Sequence, residues 1–292
     1  MVRILTLNLW GYNNPYDYTV RRGITRGAVA GSLAATHEAP GGSSWPLRCD
    51  RILDLLRSEQ PDVAGFQEVA SSPWIADGRN AAEQLASALG WNMLYADGDG
   101  PPGPGDLRNG LALLSPHPLR ELARLPLPDS QGRDTHLCLC GELMLQFGRV
   151  VVLTTHFALG NDTDEESAHQ DESVRRILAF GRSLPPATPV VLTGDLNAPP
   201  NSRAVRCLRG QAQIAGERGT FVNASILASG ASIATMPSHD PTVPLDYVFV
   251  ANAHVSGCRP VGAPNMDGYY PSDHLGLVAD LQLQSEAAFV SH

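Results

Sequence analysis

Gly194-Asp195-Leu196-Asn197 follows the apolar run Val190-Val191-Leu192-Thr193, and three more polar clusters sit in comparable contexts. Asn8 follows Val2 to Leu7, Gln67-Glu68 follows Val63 to Phe66, and Thr155-His156 closes Val150 to Thr155. Short runs rich in β-branched residues read as buried strands, so each cluster stands at a C-terminal strand end. Asp246 and Ser272-Asp273-His274 instead precede apolar runs, Tyr247 to Val250 and Leu275 to Leu281. If those two strands run antiparallel to the first four, all six clusters reach one rim of the sheets. Carboxylates, amides and imidazoles gathered there suit acid–base chemistry on a phosphoester around a hard cation.

Each residue has a plainer reading beside that one. Glu68 can ligate a cation, since Mg²⁺ takes only one or two protein carboxylates and fills its octahedron with water and phosphate oxygens; it can also cap a helix or stand on the surface. Asn8 can hold a ligand carboxylate or a metal-bound water, or close a turn. Asp195 and Asn197 alternate, so on an extended segment both side chains face one side, a carboxylate to orient or deprotonate water beside an amide donor for phosphorane oxygens. Asp-x-Asn before Pro199-Pro200 also reads as a turn. His274 has Asp273 next to it, but neighbours on a strand face opposite ways, so Asp246 is the expected orienting carboxylate and Asp273 is left toward the metal side. A structural His–Asp pair is the alternative. His156 supplies a second imidazole for a leaving or nonbridging oxygen, or a backbone-bonded buried histidine. The remaining histidines, His136 among them, are read as incidental.

The elements that must carry these residues can also be placed. Asn80 as N-cap, Glu83 three residues on and Gly90 as stop frame one helix; others are expected near Asp50 to Ser58 and Glu165 to Arg182. Strands are expected at Leu111 to Ser115 and Thr135 to Gln146, the latter joined to Val150 to Thr155 by a hairpin at Phe147-Gly148-Arg149. The glycine- and proline-rich stretch Asp97 to Arg108 is a loop. Residues 11–47, with Tyr12, Tyr16, Tyr18 and Trp45, read as an insertion in one domain spanning 1–292, either a lid beside Asn8 or an outer embellishment.

All 21 basic residues are arginine, against 30 acidic, for a net charge of −9. The absence of lysine excludes Schiff-base and lysine P-loop chemistry. An acidic surface opposes nonspecific binding of a DNA backbone and favours a small-molecule or lipid phosphoester. No basic segment with an apolar core opens the chain and no stretch is long and apolar enough to span a bilayer, which leads to the expectation of a soluble, cytoplasmic protein. Five cysteines without paired metal-type spacing read as reduced, mostly buried thiols.

Taken in order and spacing, Leu5-Thr6-Leu7-Asn8-Leu9-Trp10-Gly11, Pro61 to Val69 around Gln67-Glu68, Thr154-Thr155-His156-Phe157, Gly194-Asp195-Leu196-Asn197, Leu245-Asp246-Tyr247 and Ser272-Asp273-His274 resemble the endonuclease/exonuclease/phosphatase superfamily over nearly the whole chain. The resemblance implies a four-layer α/β/β/α sandwich, two mixed sheets flanked by helices as in DNase I, and hydrolysis of phosphoesters with Mg²⁺, or with Mn²⁺ or Ca²⁺ in its place. It implies that Glu68 binds metal with Asn8 and Asp273 nearby, that Asp195 positions the water, that Asn197 and His156 contact phosphate and that Asp246 orients His274. The opening motif and His156 resemble the sphingomyelinase, inositol-phosphatase and DNase I branches. Against a nuclease stand the lack of basic residues in Val69-Ala70-Ser71-Ser72 and the acids Asp162, Asp164, Glu165 and Glu166. A binding protein without turnover would be expected to lack one cluster, and all six are intact.

Overall fold

The computed structural model describes residues 1–11, 45–72, 78–98, 100, 108–160, 167–266, 268 and 270–283. Most of the 11–47 insertion, much of the 97–108 loop and the acids at 162–166 lie outside them. The described residues form strands β1 (Val2–Asn8), β2 (Val63–Gln67), β3 (Asn92–Asp97), β4 (Gly110–Ser115), β5 (Leu119–Pro128), β6 (Asp134–Leu145), β7 (Gly148–His156), β8 (Val190–Asp195), β9 (Val222–Asn223), β10 (Asp246–Ala251), β11 (Ala253–Val261) and β12 (Gly276–Leu283). The helices are α1 (Trp45–Glu59), α2 (Ala81–Leu89), α3 (Ala168–Ser183), α4 (Arg203–Leu208) and α5 (Ala224–Ser229).

Two six-stranded mixed sheets result, ordered β11-β12-β1-β2-β4-β3 and β5-β6-β7-β8-β10-β9. β1 runs parallel to β2 and β7 parallel to β8, while β10 is antiparallel to β8 and β12 antiparallel to β1. The directions therefore agree with the expectation from the sequence: strands that end in polar residues and strands that begin with them meet at one edge of the sandwich.

Side-chain alternation explains why. Along β1, Leu5 and Leu7 pack under α1 and α2 with Ile52, Leu56 and Leu85, whereas Val2 and Ile4 face the second sheet. Along β7 and β8, Val151, Leu153, Val190 and Leu192 pack under α3 and α4, whereas Val150, Val152 and Val191 face the first sheet. Continuing each inward series by two residues reaches Thr6 and Asn8, Thr154 and His156, Thr193 and Asp195. The apolar layer between the sheets thus turns polar toward one rim.

Local signals fix the flanking helices. α2 begins with a capping box, Asn80 accepting from the Glu83 amide while Glu83 accepts from the Asn80 amide, and ends at Gly90 in the left-handed conformation. α1 begins five residues earlier than the polar pattern indicates, because Trp45 is buried against the first sheet. The five cysteines are unbridged, and burial raises the thiol pKa of Cys49 to about 11 and of Cys258 to about 12. Among the described residues no helix is long and apolar enough to cross a membrane.

Candidate active site

Asn8 terminates β1 and Glu68 follows β2, and Asn8 Nδ2 bridges the two halves of the sandwich: it donates to Glu68 Oε1 at 3.1 Å and to Asp195 Oδ2 at 3.1 Å. Its Oδ1 accepts from the Trp10 amide at 2.9 Å. Gln67, fully buried one residue before Glu68, donates to Thr154 Oγ1 on β7 at 2.8 Å and to Thr6 Oγ1 at 3.3 Å. Glu68 itself is half-buried and adopts φ 50, and Asn197 adopts φ 45. Left-handed conformations of non-glycine residues are costly except for Asn, and concentrate at functional sites.

Asp195 is fully buried at the end of β8. Its Oδ1 accepts from the Asn197 amide at 2.8 Å, and its Oδ2 lies 3.7 Å from His156 Nε2 and 3.8 Å from His274 Nε2. Of the two sequence readings of Asp-x-Asn, the turn is the one formed, because Asn197 lies past the strand end in a left-handed conformation. The turn nevertheless brings Asn197 Nδ2 to 2.9 Å from His156 Nε2 and 2.9 Å from the Phe157 carbonyl, so this amide braces the imidazole.

His274 Nδ1 lies 2.8 Å from Asp246 Oδ2, a contact made between the two sheets, since β10 and β12 belong to different ones. Residues 271–274 form bends rather than strand. Asp273 is therefore not turned away, and its Oδ1 lies 3.9 Å from His274 Nε2. Ser272 Oγ donates to the Asn8 carbonyl at 2.6 Å, closing the ring of segments. All eight residues singled out from the sequence, Asn8, Glu68, His156, Asp195, Asn197, Asp246, Asp273 and His274, join one network of contacts no longer than 3.9 Å.

Burial by itself would lower the His274 pKa, but Asp246, Asp273 and Asp195 outweigh it and push it up to about 10. Asp246 moves up as well, through burial, opposed by the imidazolium. His274 is thus a cation at neutral pH. Its Nε2 is buried with no hydrogen-bond partner, and Asp246 Oδ1 and Asn197 Oδ1 are likewise unpaired. A buried donor of this kind suits an incoming oxygen anion.

Linkage fixes the sign of a pH effect. His274 binds its proton more tightly folded, at about 10, than unfolded, near 6.5. Its stabilisation is fully present below the unfolded value and is lost as pH rises through the folded one. In EDTA, the guanidinium midpoint is expected to fall between about pH 7 and pH 10. Asp246→Asn should flatten that slope; an equal slope in both proteins would contradict the assignment.

Asp195, Asp246 and His274 offer ligand atoms within 4.8 Å of one another. While His274 carries its proton, its imidazole has no lone pair to offer a cation. The hard oxygen donors suited to a divalent ion are the carboxylates of Glu68 and Asp273, with the Asn8 amide beside them.

Three contributors were not apparent from the sequence. Gln170 on α3, buried, donates to the carbonyls of Ala158 at 3.0 Å, Leu196 at 3.4 Å and Asn197 at 3.2 Å, which pins the turn after β8. His136, read as incidental, packs edge-on against His156 with ring centroids 5.9 Å apart. Arg108 pairs with Ser71, three residues after Glu68, through backbone bonds of 2.8 and 3.0 Å, while its guanidinium pairs with Asp97. Arg108, Arg124, Arg133 and His136, with Asp97 and Asp134, line a cavity of about 580 Å³.

The endonuclease/exonuclease/phosphatase family model matches residues 5–274. No curated protein sequence matches the chain. Among solved structures, an endonuclease/exonuclease/phosphatase from Beutenbergia cavernae DSM 12333 is 22% identical, with a TM-score of 0.69 over 97% of this chain and 71% of that one. The human Nocturnin catalytic domain with bound sulfate anion is 16% identical, with a TM-score of 0.65 over 97% and 94%. D. rerio TDP2 complexed with single strand DNA product is 14% identical, with a TM-score of 0.61 over 96% and 98%. These structures share the fold.

Proposed function

The chain belongs to the endonuclease/exonuclease/phosphatase family, and from that premise we propose that it is a metal-dependent phosphoric-ester hydrolase acting on a small, polar phosphoester by in-line attack of water. The observation that carries this reading is the buried, unpartnered Nε2 of an imidazolium backed by Asp246 and facing two further carboxylates.

In this mechanism Asp195 orients water and accepts its proton, its own position held by Asn8 and the Asn197 amide. His274 donates from Nε2 to a nonbridging oxygen, and Asp246 holds its ring and its charge. His156 accepts at Nε2 from Asn197 Nδ2, so any donation from it to a phosphate or leaving oxygen would come from Nδ1–H. Glu68 and Asp273 would hold Mg²⁺ or Mn²⁺ beside Asn8, where the ion would neutralise phosphate charge and favour water ionisation.

Arg108, Arg124 and Arg133 each pair with a carboxylate, Asp97, Glu121 and Asp129. The cavity that His136 lines therefore offers hydrogen-bond donors without a net positive field, which fits a compact polar substrate better than a polyanion. Nuclease activity is the second reading, supported by the shared fold with TDP2 complexed with single strand DNA product.

The test is a panel of bis-p-nitrophenyl phosphate, p-nitrophenyl phosphate, phospholipid vesicles and plasmid DNA, with Mg²⁺ or Mn²⁺ and with EDTA. Metal-dependent cleavage of the small esters is expected, with Glu68→Gln lowering turnover about 10²-fold or more. Plasmid nicking with small esters untouched would establish the nuclease reading, and activity unchanged in EDTA would refute metal dependence.

A further inference from the structure

Helix α1 sends one arginine inward beneath the site. Arg48 is fully buried, with its guanidinium 5.4 Å from the Trp45 ring centroid and 5.8 Å from that of Trp10. Nη1 donates to the Leu9 carbonyl at 2.5 Å and to the Pro271 carbonyl at 3.4 Å, and Nη2 donates to the Gly11 carbonyl at 2.5 Å. These carbonyls belong to the two segments that leave regular structure as they enter the site. Leu9 and Gly11 follow Asn8, with Trp10 between them at φ 55, and Pro271 precedes Ser272-Asp273-His274. Gly11 also donates to the Glu68 carbonyl at 3.1 Å, so the reach of Arg48 extends to the residue after β2.

We infer that Arg48 is a positioning residue, clamping the Asn8 and Pro271 segments so that Asn8, Glu68 and Asp273 present their side chains together. The inference rests on the proposed hydrolase reading for its chemical purpose. Three carbonyls from two distant segments need several donors in a fixed plane, and a guanidinium supplies five, whereas an ammonium supplies a compact point charge. Charge-assisted bonds to carbonyls are stronger than neutral ones, and the flanking indoles hold the fork face-on. A lysine here would keep the charge and lose the geometry.

The experiment compares wild type with Arg48→Lys and with Trp45→Leu, which removes one aromatic face and leaves the fork in place. Amide exchange by mass spectrometry reads the clamp, electron paramagnetic resonance of added Mn²⁺ reads the ligand set, and turnover of bis-p-nitrophenyl phosphate reads the chemistry. Arg48→Lys should accelerate exchange across residues 8–11 and 271–275 about tenfold while residues 190–195 stay protected. It should weaken Mn²⁺ binding about tenfold and lower kcat with KM changed less than about threefold. Trp45→Leu should give the same pattern at smaller amplitude.

Unchanged exchange in both variants overturns the clamp. Faster exchange with Mn²⁺ affinity and kcat at wild-type levels also overturns it, since Arg48 would then be structural only. A wild type that binds no Mn²⁺ and turns over no ester refutes the hydrolase reading and removes the purpose assigned to Arg48. That outcome is recognisable because exchange in the variants would still accelerate.

Discussion

Asp195→Asn is expected to lower kcat by about 10³- to 10⁴-fold with little change in KM, the range lost when a positioned general base is removed. The carboxylate is fully buried and both of its oxygens are in use, Oδ1 by the Asn197 amide and Oδ2 by Asn8 Nδ2. An amide of the same shape supplies one acceptor only. If its nitrogen takes the Oδ2 position, it opposes the Asn8 donor, a mismatch worth about 1–3 kcal/mol in a buried setting. If it takes the other, it opposes the Asn197 amide. The substitution also removes one of three anions that raise His274, whose pKa should move down. Steady-state hydrolysis of bis-p-nitrophenyl phosphate at saturating Mn²⁺, with circular dichroism and the unfolding midpoint as controls, measures the effect. A loss smaller than about tenfold would remove Asp195 from the water-activating role.

Gly194→Ala carries the largest expected loss of stability, more than about 3 kcal/mol. Gly194 adopts φ 142, a region nearly closed to L side chains, and an added Cβ would lie 1.9 Å from the Thr155 carbonyl oxygen. That oxygen is backbone of the neighbouring strand, in register Thr155↔Gly194, so relief requires β7 and β8 to separate immediately before His156 and Asp195. Gly181→Ala provides the control. It lies in α3 with nothing within 4 Å of an added Cβ, so a gain of about 0.5–1 kcal/mol is expected from helix propensity. Guanidinium unfolding of both variants reads the contrast; a Gly194→Ala loss below about 1 kcal/mol would contradict the strand geometry.

The polar rim was legible because period-two alternation is a local property and strand direction follows from which end of a run carries the polar residue. Val2, Ile4, Thr6 and Asn8 could be counted along one face, and an aspartate opening a strand, as Asp246 does, needs only an antiparallel neighbour to reach the end of β8. The family resemblance added the roles, and the fold agrees with it. Residues whose contribution depends on long-range pairing were not legible. His136 acquires its neighbour from the β6–β7 register, Arg108 comes to Ser71 through an isolated bridge, and Gln170 reaches the turn after β8 only because α3 packs over it. Arg48 sits in an amphipathic helix where an arginine ordinarily marks the solvated face, and nothing local distinguishes it from Arg51 or Arg57. Asn197 was ambiguous for the opposite reason: two local geometries suit Asp-x-Asn, and the turn prevails past the strand end.

The bonds that cross between the sheets, Gln67 to Thr154, Asn8 to Asp195 and Asp246 to His274, have a mechanical consequence. An apolar interface resists being pulled apart but yields to sliding, because contact area changes slowly as one layer glides over another. A hydrogen bond loses its strength within small changes of distance and angle. Three of them set at one end act as shear pins, opposing lateral sliding of the sandwich where its two halves meet. Stiffness at that edge is therefore inherited from the mid-plane of the molecule, and surface loops can vary without detuning it.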